Sequence, residues 1–328
     1  MRVFRKVTLK KRRDFSPYKN LGAISDIKNT QSKNFSSLNN IKETFGAITP
    51  NKSQITKSNL IFKKIIKKTR SISIKEYYFI SYDGVEIPVF RLQKSKLDFK
   101  RVPIIFFSGH GSARDLILGK NIIDFFTDED FDSFSSYQSR AAINLVNKNN
   151  DIYVMENRGM GYLEHLGNYK EIDALYRLSG KSLMGAWLSD AIFLGNIISK
   201  YHNNKINLCG ISSGGFLALF SSLFLDSDKV VCQSYLSNFQ ESFIENKSTI
   251  NNISNIAKFN FFSIAKFFKK QRITFINGTN DNFSTIIAKK EFKKMKKINP
   301  KANIKFIAPK GLGHKIDVLI FDKILNEK

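Results

Sequence analysis

The sequence predicts an α/β fold in which a mostly parallel sheet is covered by helices on both faces. Apolar runs typical of buried strands alternate with longer segments of helical periodicity. The strand-like runs are apolar at nearly every position, which is typical of parallel strands buried on both faces. A chain of 328 residues, 42% of them hydrophobic, is long enough to bury such a core.

The predicted strands and helices alternate along most of the chain. Strand-like runs occupy residues 103–109, 151–156, 206–210, 229–236, 271–278 and 303–309, and helical segments occupy residues 182–201, 214–225 and 285–298. Two β-rich runs within residues 72–91 flank Asp83-Gly84, a dipeptide typical of hairpin turns. In such a sheet ligands bind outside the C-terminal ends of the strands, so functional residues are expected directly after them.

Positive charge is concentrated at the start of the chain. The formal net charge is +25, and residues 1–70 hold 18 Lys and Arg against 3 Asp and Glu. We expect a basic N-terminal arm over residues 1–70, partly disordered or helical, and a folded domain over residues 71–328. Such an excess is typical of proteins that bind nucleic acid or anionic membranes. Because Lys, Asn, Ile and Phe are all abundant, as in A- and T-rich coding sequence, no nucleic-acid partner is predicted.

The segment LIFKKIIKK, residues 60–68, spaces apolar and basic pairs at helical intervals. It suits a helix on an anionic membrane surface, although a helix or first strand packed on the domain is the more ordinary interpretation. Weak membrane contact through residues 1–70 therefore stays an alternative. The sequence indicates no oligomeric state.

Nothing in the sequence predicts export or a membrane span. The first residues lack the apolar core of a signal peptide, and no run reaches the roughly 18 apolar residues that a span needs. Cys209 and Cys232 lie in apolar runs and are predicted to be reduced core thiols. A cytoplasmic protein is expected, with an organelle transit peptide as the alternative for the basic arm.

One serine lies in a motif that carries chemistry. Gly210-Ile211-Ser212-Ser213-Gly214 follows a predicted strand and precedes an apolar helix. This is the G-x-S-x-G pattern in the strand–turn–helix context where a strained turn exposes the serine hydroxyl. Gly210 and Gly214 are expected to support that turn. A glycine-rich loop without chemistry is the alternative, and the position after a strand favours a nucleophile.

A serine hydroxyl needs a base, usually a histidine that a carboxylate orients. His314, in PKGLGHKID, follows the last predicted strand, where the chain order Ser, acid, His places the base. Asp281, in FINGTNDNF, follows the strand between them and is the predicted acid. The alternatives are an exposed loop histidine without a role and an aspartate that only forms a turn or caps a helix.

Backbone N–H donors for a tetrahedral oxyanion are predicted from two turns. One donor is Ser213, the residue after Ser212. The second is Ser112, in the turn His110-Gly111-Ser112 that directly follows a predicted strand and resembles an H-G-x turn. The alternative is a tight turn without this role.

Together these motifs resemble those of the α/β-hydrolase superfamily, in particular its branch of acetyl xylan esterases and dienelactone-hydrolase-like proteins. The matching stretches are HGSAR, ENRGMG, SLMGAWLSDAI, GISSGGF, SYLSNF, NGTNDNF and GLGHKID, within residues 75–320. The resemblance implies an eight-stranded sheet, with Ser212 as nucleophile, Asp281 as orienting acid and His314 as general base. It implies no metal and no organic cofactor. The basic arm has no counterpart in the family's pattern.

The expected function is a serine esterase that removes a short acyl group, such as acetate, from a small-molecule or saccharide alcohol. A peptidase or amidase of the prolyl oligopeptidase type carries a similar motif and is one alternative. A non-catalytic, membrane-associated binding protein on a hydrolase scaffold is the other.

Overall fold

The computed structural model describes residues 32–94, 102–117, 137–138, 140–146, 151–203, 205–236, 259–281 and 284–327. In this part of the chain one sheet has the strand order β1-β2-β3-β5-β4-β6-β7-β8-β9. The strands are β1 (Ile61–Lys68), β2 (Ile72–Ile80), β3 (Glu86–Lys94), β4 (Ile104–Phe107), β5 (Asp151–Met155), β6 (Ile206–Ile211), β7 (Ser227–Gln233), β8 (Arg272–Ile276) and β9 (Ile304–Ile307). Six consecutive strands, β5-β4-β6-β7-β8-β9, are parallel to one another. The pairs β1–β2, β2–β3 and β3–β5 are antiparallel. The predicted α/β class with a mostly parallel sheet is confirmed.

Helices cover both faces of the sheet. They are α1 (Leu38–Phe45), α2 (Lys52–Lys57), α3 (Ala113–Ile117), α4 (Ala141–Val146), α5 (Tyr169–Leu178), α6 (Leu183–His202), α7 (Ser213–Ser221), α8 (Thr285–Ile298) and α9 (Val318–Asn326), with 3₁₀ helices at Gly161–Leu166 and Phe261–Phe267. One apolar core joins α1, α6, α7 and α8 to the sheet, and a second core on the other face joins α3, α4 and α9. Cys209 and Cys232 are buried free thiols in these cores.

The predicted boundary at residue 70 differs from the structure, because part of the expected arm belongs to the folded domain. Phe35, Ile41 and Phe45 are fully buried, and the Phe45 ring lies 5.0 Å from the ring of Phe216 in α7. Ile41 and Phe45 are four residues apart, so both face the core from the short helix α1. Residues 1–31 of the predicted arm lie outside the described residues.

Residues 61–68 form the edge strand β1, which agrees with the first-strand interpretation of residues 60–68 and not with the helical ones. β1 pairs antiparallel with β2, and its register shifts between Phe62 and Lys64 and again between Ile65 and Lys67. Each bulge adds one residue to the strand, so the apolar pairs recur at intervals that imitate helical periodicity. β1 is also the reason for nine strands where eight were expected, since it lies outside the predicted folded domain.

The strand ends that matter for function lie side by side. β4, β6, β7, β8 and β9 are consecutive, parallel neighbours, so their C-terminal ends meet at one edge of the sheet. Within the described chain, no single helix has the length and apolarity to cross a bilayer. Among the described helices, α5 and α6 pass that test of length and composition together, as a pair bent by 97°.

Candidate active site

Ser212 lies on the sharp turn between β6 and α7. Its backbone has φ 56° and ψ −124°, a conformation that a residue with a Cβ atom rarely adopts. The turn is held at its start, because the Ser212 N–H donates to the backbone oxygen of Gln233 at 2.9 Å. Non-glycine residues in such regions cost about 1–3 kcal/mol and cluster at functional sites, where the surrounding structure stabilises them.

Two predicted glycines allow α7 to approach the sheet this closely. A Cβ atom on Gly210 would lie 2.1 Å from the backbone oxygen of Gly214. A Cβ atom on Gly214 would lie 2.2 Å from the backbone oxygen of Phe107, at the end of β4. Both distances are far inside van der Waals contact, so any side chain there would push the helix away from β4 and β6.

His314 and Asp281 form a hydrogen-bonded pair. His314 Nδ1 lies 3.0 Å from Asp281 Oδ1, with the histidine side chain 18% exposed and the aspartate side chain fully buried. The second carboxylate oxygen, Oδ2, accepts a short hydrogen bond from the hydroxyl of Ser234. An Nδ1–H donor to this carboxylate leaves Nε2 of the imidazole as the proton acceptor.

The loops that carry these residues are tied together by backbone hydrogen bonds. The acid loop donates from Asn280 N to Leu312 O at 3.0 Å and from Thr279 N to Pro309 O at 3.0 Å. Gln233 joins the base loop to the serine turn, because its side-chain amide donates to Lys315 O while its backbone oxygen accepts from Ser212. Ser212 and His314 therefore lie on directly connected loops.

The turn after β4 lies against the same loops. His110, Gly111 and Ser112 form this turn, and the hydroxyl of Tyr137 donates to the backbone oxygen of His110 at 2.9 Å. The Tyr137 ring lies 5.1 Å from the His314 ring, and the Tyr137 backbone oxygen accepts from Ile316 at 2.9 Å. Tyr137 thus connects the turn of the predicted second oxyanion donor to the loop of the predicted base.

A buried carboxyl group supports this turn from behind. Glu156 follows β5 and accepts hydrogen bonds from Ala113 N at 2.8 Å and from Tyr162 N at 3.3 Å. Burial raises the pKa of Glu156 to about 8, against the opposing effect of these backbone donors. The contact holds Ala113, the residue that directly follows the predicted donor Ser112.

Arg158, Asp83 and Asp190 form a cluster of ion pairs that contacts the turn after β4 through Trp187. Arg158 donates from Nε to Asp190 Oδ2 at 2.7 Å and from Nη2 to Asp83 Oδ1 at 2.9 Å. The backbone oxygen of Arg158 accepts from Trp187 Nε1 at 3.1 Å, and the Trp187 ring lies 6.5 Å from the His110 ring. The cluster joins the β2–β3 hairpin to α6 and so positions the Trp187 ring against the turn after β4.

His110, in the turn after β4, has a shifted pKa. Burial, together with the nearby imidazole of His314, lowers the pKa of His110 to about 4. His110 is therefore neutral near pH 7. The other two histidines lie elsewhere: exposed His165 contacts Tyr162 O at 2.8 Å, and His202 Nε2 contacts the Tyr153 hydroxyl at 2.9 Å. Across the described residues, no group of three or more His, Cys, Asp or Glu side chains could hold a metal ion.

The structure brings the predicted site residues to one edge of the sheet. Ser212 follows β6 between Gly210 and Ser213, Gly214 lies in the first turn of α7, Asp281 follows β8 and His314 follows β9. His110, Gly111 and Ser112 follow β4, the neighbour of β6. The arrangement can supply a nucleophilic hydroxyl, a base oriented by a carboxylate, and two backbone N–H groups on adjacent turns.

No protein-family model and no curated protein matches the chain. Several solved structures match the chain in fold. Acetyl xylan esterase 1 from Thermoanaerobacterium sp. JW/SL YS485 superposes with a TM-score of 0.59, covering 94% of this chain and 99% of that one at 14% identity. The glucuronoyl esterase from Solibacter usitatus has a TM-score of 0.59, covering 89% of this chain and 92% of that one at 9% identity. The chain has the α/β-hydrolase fold. The acylaminoacyl peptidase of Pyrococcus horikoshii also shares it, with a TM-score of 0.51 and 15% identity over 75% of this chain but 38% of that one.

Within this α/β-hydrolase fold, sequence reasoning missed several residues that hold the site. The sequence predicts Gln233 and Ser234 inside the strand at residues 229–236, whereas β7 ends at Gln233, and polar residues at the end of a parallel strand are a signal for a site. Glu156 carried the same signal, because it directly follows β5. Tyr137 carried none, since its contacts depend on how distant loops meet.

Proposed function

We propose that the protein is a serine hydrolase that cleaves carboxylic esters of short acyl groups, such as acetyl, through an acyl-enzyme on Ser212. The observation that carries this proposal is the Asp281–His314 pair, at 3.0 Å, on loops bonded to the strained turn of Ser212. A histidine oriented in this way is the base that a serine hydroxyl needs in order to react near neutral pH.

The reaction proceeds in two halves. His314 removes the proton of the Ser212 hydroxyl as its oxygen attacks the ester carbonyl, and the imidazolium is stabilised by Asp281. The imidazolium then protonates the leaving alkoxide, and the alcohol departs from the acyl-enzyme. In the second half His314 deprotonates water, which attacks the acyl carbon and releases the carboxylic acid from Ser212.

Two backbone N–H groups are assigned to the developing oxyanion. Ser213 begins α7, so its N–H belongs to the unpaired first turn of that helix. Ser112 supplies the second N–H from the turn that Glu156 and Tyr137 hold. Donors fixed in advance stabilise the transition state without reorganising during the reaction.

The substrate class rests on the fold relatives. Two of the structures that superpose over most of their length are named acetyl xylan esterase and glucuronoyl esterase, which supports a small-molecule or saccharide ester. The named peptidase with the same fold supports amide hydrolysis as the second candidate. No cofactor has a role in either reaction.

The deciding experiment compares purified wild-type protein with Ser212→Ala on p-nitrophenyl acetate, butyrate and octanoate, and on p-nitroanilides. Both proteins are also treated with a fluorophosphonate probe. Ser71→Ala, on the exposed turn between β1 and β2, is the matched control. Turnover and labelling that are lost only in Ser212→Ala support the proposal, with the fastest ester indicating acyl length and faster anilide cleavage indicating the peptidase alternative.

The opposite result is equally informative. A wild-type protein that neither hydrolyses these esters nor reacts with the probe would contradict the proposal and favour a binding protein on a hydrolase scaffold. Labelling that persists in Ser212→Ala would assign the nucleophile to another serine.

A further inference from the structure

The sheet ends at β1, and in the described part of the chain no strand pairs with the outer edge of β1. Three large apolar side chains of this strand are in contact with water: Ile61 is 43% exposed, Phe62 is 53% exposed and Ile65 is 52% exposed. An exposed edge strand that carries apolar residues is a liability unless it has a partner.

A β-bulge places two of these side chains on the same face. In a regular strand, residues three apart point to opposite faces. Here Phe62 pairs with Tyr77 and Ile65 pairs with Lys75. Tyr77 and Lys75 are two residues apart, so they point to the same face of β2. The extra residue in β1 therefore brings Phe62 and Ile65 together, with the Phe62 ring 5.6 Å from the ring of Tyr77.

Cations flank this apolar pair. The second register shift pairs Lys68 with Ser73, so Lys68 shares the face of Phe62, Ile65 and Lys75. Neither Lys68 nor Lys75 forms an ion pair with an acid among the residues that the structure describes. We call Phe62, Ile65, Lys68 and Lys75 the β1 patch.

The opposite face of β1 is also basic. Lys63 and Lys64 reach the buried carboxylate of Glu76 at 2.9 Å and 3.6 Å, while their own side chains stay 56% and 57% exposed. Residues 61–75 hold six Lys and Arg and no Asp or Glu. Among the described residues, the ion pairs of this segment are made with Glu76, so the six cations outnumber the acid that faces them.

Three kinds of partner are considered for this edge: a second copy of the chain, a duplex nucleic acid and an anionic bilayer. The apolar and basic side chains of the edge favour one of them. Pairing with a second copy would bring the lysines of two chains opposite each other, which is unfavourable. A duplex nucleic acid would contact the lysines through its phosphates but leave Phe62 and Ile65 in water. An anionic bilayer matches both features, because apolar side chains enter the interfacial region while lysines contact lipid headgroups.

We propose that the β1 patch docks the protein onto an anionic phospholipid surface. Phe62 and Ile65 enter the boundary between headgroups and acyl chains, and Lys68 and Lys75 contact the lipid phosphates. β1 is five strand positions from β6 in the sheet, on the order of 24 Å at the usual strand spacing, so docking leaves the Ser212 turn uncovered.

The test is sedimentation of the full chain with vesicles of phosphatidylcholine containing about 30 mol% phosphatidylserine, and with vesicles of phosphatidylcholine alone. We expect binding to the anionic vesicles, and about tenfold weaker binding for Phe62→Thr/Ile65→Thr and for Lys68→Glu/Lys75→Glu. Threonine keeps the strand propensity of β1. Circular dichroism and hydrolysis of soluble p-nitrophenyl acetate, both expected to be unchanged, confirm that the variants are folded.

Lys293→Glu/Lys297→Glu on α8 is the matched control, because it makes the same change in net charge with two exposed lysines on another element. This control should bind vesicles as the wild type does. The proposal would be overturned if the control weakened binding as much as the patch variants do. It would also be overturned if the wild-type protein did not bind anionic vesicles, or if the patch variants bound them normally. So would a dimer in analytical ultracentrifugation that Phe62→Thr/Ile65→Thr dissociates, or duplex DNA binding that only the lysine variant loses.

Discussion

His314 Nδ1 lies 3.0 Å from Asp281 Oδ1, and the other oxygen of that carboxylate accepts the hydroxyl hydrogen of Ser234. The carboxylate is therefore held at both oxygens, by residues that follow β9 and β7. A carboxylate fixed in this way determines both the tautomer and the orientation of the imidazole.

Replacing the carboxylate by an amide should remove that control. In Asp281→Asn we expect kcat on p-nitrophenyl acetate to fall about 10³- to 10⁴-fold, since the side-chain NH₂ favours the wrong histidine tautomer. KM should change little, because Asp281 has no contact with substrate in the proposed mechanism. Steady-state kinetics measure both constants.

Ser234→Ala separates orientation of the carboxylate from its charge. Loss of one neutral hydroxyl donor should lower kcat only about tenfold, in line with the usual worth of one hydrogen bond to a charged group. If Asp281→Asn lowered kcat no more than Ser234→Ala, the acid would lie elsewhere.

The strain at Ser212 predicts a reversal of the usual order of alanine and glycine. At φ 56° a residue without Cβ is favoured, so Ser212→Gly should be more stable than Ser212→Ala by about 1 kcal/mol. Both variants should be inactive. Urea unfolding measures the difference.

Ser199, inside α6, provides the matched pair for this comparison. There the backbone is helical, so Ser199→Gly should be less stable than Ser199→Ala by about 1 kcal/mol. Finding alanine the more stable residue at both positions would show that the turn at Ser212 is unstrained.

The ion pairs of Arg158 should matter for stability far more than those at the surface. Burial raises the pKa of Asp190, while the Arg158 guanidinium outweighs the same effect at Asp83 and lowers its pKa. Arg158→Met would leave the Asp190 carboxylate buried without its cation, and we expect a loss of about 3–5 kcal/mol in the free energy of unfolding.

Arg272→Met is the control for this change, because Arg272 bonds Asp228 at 2.7 Å with both side chains roughly a third exposed. Surface pairs contribute about 0–1 kcal/mol, so this variant should unfold nearly as the wild type does. Similar losses in the two variants would mean that the hydrocarbon part of the arginine, and not the buried charge, stabilises the fold.

The strand ends and the chain order of Ser212, Asp281 and His314 could be predicted from the sequence, because each depends on a short local stretch. Buried parallel strands are apolar throughout, and the turns that follow them hold Ser212, Asp281 and His314 within a few residues of each strand. The helix predicted at residues 285–298 has those bounds in the structure, since Ser284 caps it and its basic face repeats regularly.

Features that depend on distant contacts were missed. The segment of α1 buries Ile41 and Phe45 in the core and packs Leu38 beside them, too few apolar residues to stand out in a polar stretch. The bulges of β1 imitated a helical period. The hydrogen bonds of Gln233 and Tyr137 join loops 82 and 179 residues apart, and no local pattern encodes them.

His110 should make stability fall at acidic pH. Its pKa is lowered to about 4 in the folded protein, by burial and by His314, against about 6.5 in the unfolded chain. Between these values the unfolded state binds the extra proton, so the free energy of unfolding decreases as the pH falls from about 6.5 to about 4. Above that window His110 is neutral in both states and contributes no pH dependence.

His110→Gln isolates this contribution, because all other titrating groups are shared with the wild type. Urea unfolding at about pH 7.5 and about pH 4.5 should show the wild type losing about 2–3 kcal/mol more than the variant between the two conditions. His165→Gln, the same substitution at an exposed histidine, is the matched control for the effect of the mutation itself. An equal loss in wild type and His110→Gln would mean that the His110 ring is solvated in the folded state, and the close packing of Trp187 and Tyr137 around this turn would then be open to water.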